Sequence, residues 1–173
     1  MQRFGLFVMC AVVLALALPL AADDGIVLKF DGGIGVIPGP NGVANANVVQ
    51  GTLPPGQPWV IARLTANIKA DGRISVDGRG LLLAGGNGIG TNGNQSVRPV
   101  LFCGGAPSTT ESAVPLEPNG DFTIDDVLSP EPPSPCNSPT LLIVNDPGGR
   151  WFAAGILKRS VERERPALTA RQR

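Results

Sequence analysis

Glycine and proline interrupt this chain so often that little of it can be helical. Glycine occurs 23 times and proline 17 times in 173 residues. Proline lacks a backbone donor and clashes with the preceding helical turn, and glycine loses the most conformational freedom on ordering, so neither suits a helix interior. Between the interruptions lie short apolar runs rich in Val, Ile and Leu, such as Ile26 to Phe30, Leu81 to Leu83 and Leu141 to Val144. Runs of this length, bounded by turn residues, read as strands. Eight to ten of them in one chain predict an all-β fold, either a single antiparallel β-sandwich or a partly closed barrel, with little helix.

The same punctuation assigns the segments. Ile26 to Phe30 and Ile34 to Ile37 are predicted as two short strands around a turn at Asp31-Gly32-Gly33, with a break from Pro38 to Gly42. Asn45 to Gln50 is expected as an edge strand, and Leu53 to Pro58 as a proline-rich connection. Trp59, Ile61, Leu64 and Ile68 alternate with polar residues but change phase midway, which predicts a bulge or a two-sided burial near Ala62 and Arg63. Asp71-Gly72 is the favoured two-residue hairpin turn, with both residues at positive φ. On the return strand, Arg73 to Ala84, a second Asp-Gly at Asp77-Gly78 is expected to form a bulge. Gly85 to Asn94 reads as a loop, and Val97 to Cys103 as a strand that Pro99 assigns to an edge or a bulge. Val114 and Leu116 face Phe122 and Ile124 across Pro118-Asn119-Gly120-Asp121 in a second hairpin. Leu128 to Pro139 holds five prolines and reads as an extended loop; Leu141 to Val144 and Trp151 to Ile156 then close the sheet. Ser160 to Arg165 is the one candidate helix, too short and polar to be stable without packing.

Residues 1–22 have the form of a secretory signal peptide: Arg3, an apolar core from Phe4 to Leu18, Pro19, and Leu20-Ala21-Ala22 before Asp23-Asp24. Cleavage after Ala22 leaves 151 residues, read as one β-domain over 23–157 and a basic, disordered tail over 158–173. The expected location is secreted or periplasmic, with no membrane span after cleavage; a retained anchor is the competing reading of the apolar run. Cys10 leaves with the signal, so Cys103 and Cys136 remain in a chain routed to an oxidising compartment and are expected to pair. The loop they close spans about 33 residues, which in the chain-entropy model stabilises the fold by about 3 to 4 kcal/mol.

Charge and residue chemistry narrow the function classes. Residues 23–157 carry 7 Lys and Arg against 12 Asp and Glu, a net charge of −5, whereas residues 158–173 carry 6 against 2, a net charge of +4. An acidic body argues against nucleic-acid binding, and the tail reads as a solvated terminus or as an electrostatic latch. The chain contains no histidine, which removes Ser-His-Asp and Cys-His catalysis and leaves two thiols short of a zinc site. Gly88, Gly90 and Gly93 match G-x-G-x-x-G, but no helix follows and Pro99 comes soon after, so the match reads as a turn and no cofactor is expected. Asn119, Asp121, Asp125 and Asp126 form a calcium candidate by their spacing. Phe122 stands where such a loop needs glycine and Leu128 where it needs a bidentate acid, so a hairpin tip with solvated acids is the preferred reading. Trp59 and Trp151 are a sugar-stacking platform if exposed, and their apolar strands favour core burial instead.

Three stretches carry a resemblance. Phe30-Asp31-Gly32-Gly33-Ile34-Gly35-Val36-Ile37-Pro38, Gly78-Arg79-Gly80-Leu81-Leu82-Leu83-Ala84-Gly85-Gly86-Asn87, and Leu101-Phe102-Cys103 with Asn119-Gly120-Asp121-Phe122 resemble a group of uncharacterised secreted bacterial proteins, a likeness that implies no activity. The order of strand, cysteine, Asn-Gly-Asp-Phe-x-Ile and second cysteine is similar to immunoglobulin-like and transthyretin-like extracellular modules, which implies a sandwich. The expectation is an exported, non-enzymatic β-domain that binds a protein or glycan through surface loops. The alternatives are a small carboxylate-dependent hydrolase and an envelope protein self-associating through an exposed edge near Pro99 or Asn45.

Overall fold

A computed structural model describes residues 25–39 and 47–158. The expected signal peptide, the start of the expected strand at 45–50 and the tail with its candidate helix lie outside the described residues. Eleven strands follow one another: β1 (Ile26–Gly35), β2 (Trp59–Val60), β3 (Arg63–Lys69), β4 (Arg73–Arg79), β5 (Leu82–Leu83), β6 (Ser96–Cys103), β7 (Ala106–Thr109), β8 (Val114–Pro115), β9 (Phe122–Val127), β10 (Thr140–Asp146) and β11 (Trp151–Leu157). No helix occurs among the described residues, so none there is long and apolar enough to cross a membrane.

Strict alternation orders the sheet. On β3 and β4, Leu64, Ala66 and Ile68 lie opposite Gly78, Val76 and Ile74 in register, and all the apolar members are buried. Each fully buried Leu, Ile or Phe of this kind contributes roughly 1.5 to 3 kcal/mol by leaving water. The ladder runs β7-β6-β10-β11-β1-β3-β4-β9, with β8 continuing along β6 beyond β7 and β2-β5 forming a separate pair. Every pairing is antiparallel.

The two ends of this ladder meet. The Thr109 N–H donates to the Ser129 carbonyl at 3.0 Å and the Ser129 N–H donates back to Thr109 at 2.8 Å, while the Glu117 N–H donates to the Asp121 carbonyl at 2.9 Å. These contacts share one register, since eight residues separate 109 from 117 and eight separate 121 from 129. The predicted second hairpin therefore forms, but its arms are pinned only at their ends. Between the pins β8 pairs with β6 and β9 pairs with β4. Pro115 stands opposite Thr123 in that register and has no N–H to give. The hairpin is the seam of a nearly closed barrel, the second of the two architectures expected.

Several local expectations change. Asp31-Gly32-Gly33 is not a turn: β1 runs straight through as ten residues, pairing first with β3 and then with β11. Gly32, at φ 107°, absorbs the extra residue of a bulge between Phe30 and Gly33, so the strand bends instead of reversing. At the β3-β4 turn the Gly72 N–H donates to the Lys69 carbonyl at 3.1 Å, and positive φ is found at Gly72 but not at Asp71. Two consecutive positive φ values occur instead at Gln50-Gly51, 49° and 75°, joined by mutual bonds between Val49 and Thr52, and at Gly104-Gly105, 72° and 108°, which link β6 to β7. The 45–50 segment thus supplies the first of these turns from Asn47 onward in place of an edge strand.

Asp77-Gly78 is not a bulge, because β4 keeps its register with both neighbours through Gly78. Glycine is needed there for space: a Cβ would lie 2.1 Å from the Phe122 ring, which lies across the Gly78 backbone. Pro99 is not at an edge either. It pairs with Ile143 of β10, and on its other side the neighbouring strand is interrupted between β7 and β8. The change of phase near Ala62 and Arg63, expected as a bulge or a two-sided burial, falls at the break between β2, which pairs with β5, and β3, which pairs with β1 and β4.

Strand directions give the barrel two different ends. At the base lie the β3-β4 turn, Gly104 and Gly105, the proline-rich loop and both limits of the described domain, Gly25 and Lys158. There Cys103, the last residue of β6, is bonded to Cys136 with Cα atoms 4.8 Å apart, as expected. At the other end, the mouth, lie the 117–121 and 146–150 turns and the segments 36–39, 47–62 and 80–95.

If Gly78 makes room for Phe122, Gly78→Ala lowers unfolding free energy by about 1 to 3 kcal/mol, the usual cost of overpacking, and adding Phe122→Leu recovers part of that loss. Urea denaturation of both variants measures it, and an unaltered Gly78→Ala midpoint would contradict the packing account.

Candidate functional site

The mouth is where segments distant in sequence converge. Beyond β1 the Val36 N–H donates to the Phe152 carbonyl at 3.1 Å, and the Trp59 N–H donates to the Val36 carbonyl at 2.9 Å. These bonds draw β2 across the ends of β1 and β11. Trp59 consequently stacks on Phe152, with ring centroids 4.0 Å apart and planes 11° from parallel. On its far side β2 pairs with β5, and Leu83 of β5 is tied to the glycine-rich loop by bonds with Gly90 and Thr91. The loop read as a turn is therefore a wall of the mouth.

A pocket of about 560 Å³ opens here. Trp59, Phe152 and Leu83 form its apolar floor, and the proline-rich connection at residues 54–57 forms one side. Gln95, Asn145 and Arg150 form the polar side. The Asn145 Nδ2 donates to Gln95 Oε1 at 3.0 Å, the Arg150 backbone N–H donates to Asn145 Oδ1 at 2.8 Å, and the Gln95 Nε2 donates to the Gly93 carbonyl at 3.0 Å. Both amides are thus oriented before any ligand arrives. Chemically the pocket offers fixed amides and a cation beside an apolar floor whose two rings are almost fully buried.

The two tryptophans part company. Both are 4% exposed, so neither is an open platform. Trp59 borders the pocket, whereas Trp151 uses its Nε1 to donate to the Asn47 carbonyl at 3.0 Å, under the 47–53 segment. Gln95, Asn145, Arg150 and Phe152 carry no motif in the sequence; what joins them is the β6-β10-β11 ladder, whose register becomes known only with the fold.

The four calcium candidates do not converge. Asn119 and Asp121 lie in the mouth turn, and Asp125 and Asp126 lie farther along β9, roughly 13 Å from Asp121 at strand rise. The Asp121 oxygens are already occupied: Oδ1 accepts the Gly80 N–H at 2.9 Å, and Oδ2 accepts Arg79 Nη1 at 3.1 Å and Asn119 Nδ2 at 3.0 Å. The turn acid expected to be solvated instead fastens the seam to the break after β4. The Gly80 N–H, and after it Arg79, holds the Asp121 carboxyl below its ordinary value, and Asp77 and Asp121 push the Arg79 guanidinium up. Asp125 and Asp126 border a groove of about 450 Å³ with Lys69 and Arg73, but as consecutive strand residues they point to opposite faces. Among the described residues no group of three or more acidic or cysteine side chains is placed to hold a metal ion.

No protein-family model, curated protein or solved structure matches this chain.

The Asp121 clamp has a definite pH sign. A carboxyl held below its ordinary value of 3.8 stabilises the fold fully at neutral pH and loses that contribution as pH falls through its folded-state value. Asp121→Asn keeps an oxygen for the Gly80 N–H but removes the charge, so its melting temperature lies below that of the parent at pH 7. The difference shrinks when melting is followed below pH 3.8. A gap that stayed constant with pH would count against the clamp.

Proposed function

We propose that this protein is an exported, non-enzymatic binding module that seats the end of a glycan in its mouth pocket. The observation that carries this reading is the stacked Trp59-Phe152 floor beside the pre-oriented amides of Gln95 and Asn145. A sugar ring presents an apolar C–H face and a rim of hydroxyls, and a mostly preformed pocket with an apolar floor and a few fixed polar groups suits both. Amide and guanidinium groups hold ligands by hydrogen bonds and do not exchange protons near neutral pH, which supports binding over acid-base chemistry. Export is supported by the form of residues 1–22 and by the Cys103–Cys136 bond, which persists in oxidising compartments. The mouth segments are loops positioned by a rigid barrel, the usual setting for recognition.

A hydrolase reading draws on the groove at Asp125 and Asp126, and it requires an activity that Asp125→Asn abolishes. The glycan reading is tested by titrating the intact domain with neutral and acidic oligosaccharides and following tryptophan emission, which reports on Trp59. Expected is saturable binding that Gln95→Ala weakens about ten-fold, the order of one or two lost hydrogen bonds. Glycan binding unaffected by Gln95→Ala would move the site elsewhere.

A further inference from the structure

The mouth pocket sets a cation without a carboxylate partner beside two fixed amides. Of its two fixed amides, both oxygens already accept a bond, Asn145 Oδ1 from the Arg150 backbone and Gln95 Oε1 from Asn145. Each amide nitrogen has given one N–H and keeps a second, because a carboxamide carries two donors. Beside them stands Arg150. Arg73, Arg79 and Arg98 are each matched to an aspartate, and the acid nearest Arg150 in sequence, Asp146, is taken by Arg98. Among the described residues the Arg150 guanidinium has no carboxylate partner. Its backbone is nonetheless fixed, since the Asn145 N–H donates to the Arg150 carbonyl at 2.9 Å and the Gly149 N–H to the Asn145 carbonyl at 2.8 Å. The pocket therefore presents amide groups and, on a fixed backbone, a cation without a carboxylate partner, in a body whose net charge over residues 23–157 is −5.

From this we infer that the ligand carries a carboxylate, and that Arg150 is the residue that selects it: the glycan end is a hexuronic acid. This rests on the mouth-pocket reading above. The planar guanidinium matches a carboxylate with two parallel hydrogen bonds, and the second N–H groups of Gln95 and Asn145 add donors to the same side of the pocket. Trp59, Phe152 and Leu83 remain for the apolar face of the ring. The net negative charge of the body weakens unspecific attraction of such a ligand, so its recognition falls to the cation that lines the pocket.

The test uses short oligosaccharides of galacturonate, glucuronate and mannuronate, each beside its methyl ester, which keeps the sugar and removes the charge. Binding to the parent and to Arg150→Gln is measured calorimetrically, with melting temperature as the control for folding. Expected is binding of at least one acid that is about ten-fold or more tighter than its ester, a preference that Arg150→Gln removes without a change in melting temperature. Acid and ester binding equally would overturn the role of Arg150 and leave the glycan pocket standing. Acid selectivity that survives in Arg150→Gln would likewise overturn it. No binding of any acid or ester, with peptides ending in a free carboxylate bound instead, would overturn the glycan class, and no binding of any of these would overturn both readings.

Discussion

A sheet that stops short of closure leaves two rows of unpaired backbone groups, and the barrel of this protein depends on how those rows are brought together. Two bonds between Thr109 and Ser129 pin one end of the seam, and the bond from Glu117 to Asp121 pins the other. The second pin is reinforced from the side, because Asp121 reaches over to the Gly80 N–H and the Arg79 guanidinium, and the Leu81 N–H donates to the Gly120 carbonyl at 2.9 Å. Asn92 adds bonds to the carbonyls of Leu116 and Glu117. Between the pins the seam is unpaired. Closure is thus achieved by two short clasps separated by eight residues, with β8 and β9 between them paired to β6 and β4 and not to each other.

The clasps divide the molecule by task. At the base, the proline-rich loop has few backbone donors to offer a ladder, and a covalent bond from Cys136 to the end of β6 holds it in place. At the mouth, no covalent bond exists among the described residues, and the segments are held by hydrogen bonds and by the Trp59-Phe152 stack. A rigid base with a hydrogen-bonded mouth is suited to recognition, since the mouth can adjust while the barrel keeps its register. The clasp at Asp121 and the pocket at Arg150 lie at the same end, so the electrostatics that stabilise the seam and those that favour a ligand act in one region and draw on different arginines, Arg79 and Arg150.

Much of the strand plan was legible because burial imposes a two-residue period. The alternation of Leu64, Ala66 and Ile68 and the apolar run from Leu141 to Val144 placed β3 and β10, and the Cys103–Cys136 bond followed from compartment and count. The misreadings came from residues whose role is set by a distant neighbour. Gly32 and Gly78 looked like turn and bulge formers, yet one bends a continuous strand and the other lies beneath Phe122 from another strand. Pro99 reads as an edge marker until it is known that the chain beyond it is interrupted. Of the two clasps that close the barrel, the one at Glu117 and Asp121 belongs to a legible turn, whereas the backbone bonds of Thr109 and Ser129 leave no signal in one dimension. The pocket was hidden for the same reason, because Trp59, Gln95, Asn145 and Phe152 come from four segments that only the closed ladder brings together.

Closure at the seam is best tested by amide hydrogen exchange, residue by residue, under native conditions. The structure predicts that the amides of Thr109, Glu117 and Ser129 exchange as slowly as those of core strands such as Val76, while the amides of Thr123 and Asp125, which face the unpaired part of the seam, exchange rapidly. Slow exchange at the three clasp positions with fast exchange between them would establish a barrel held by two clasps. Fast exchange at Thr109, Glu117 and Ser129 would show an open sheet instead.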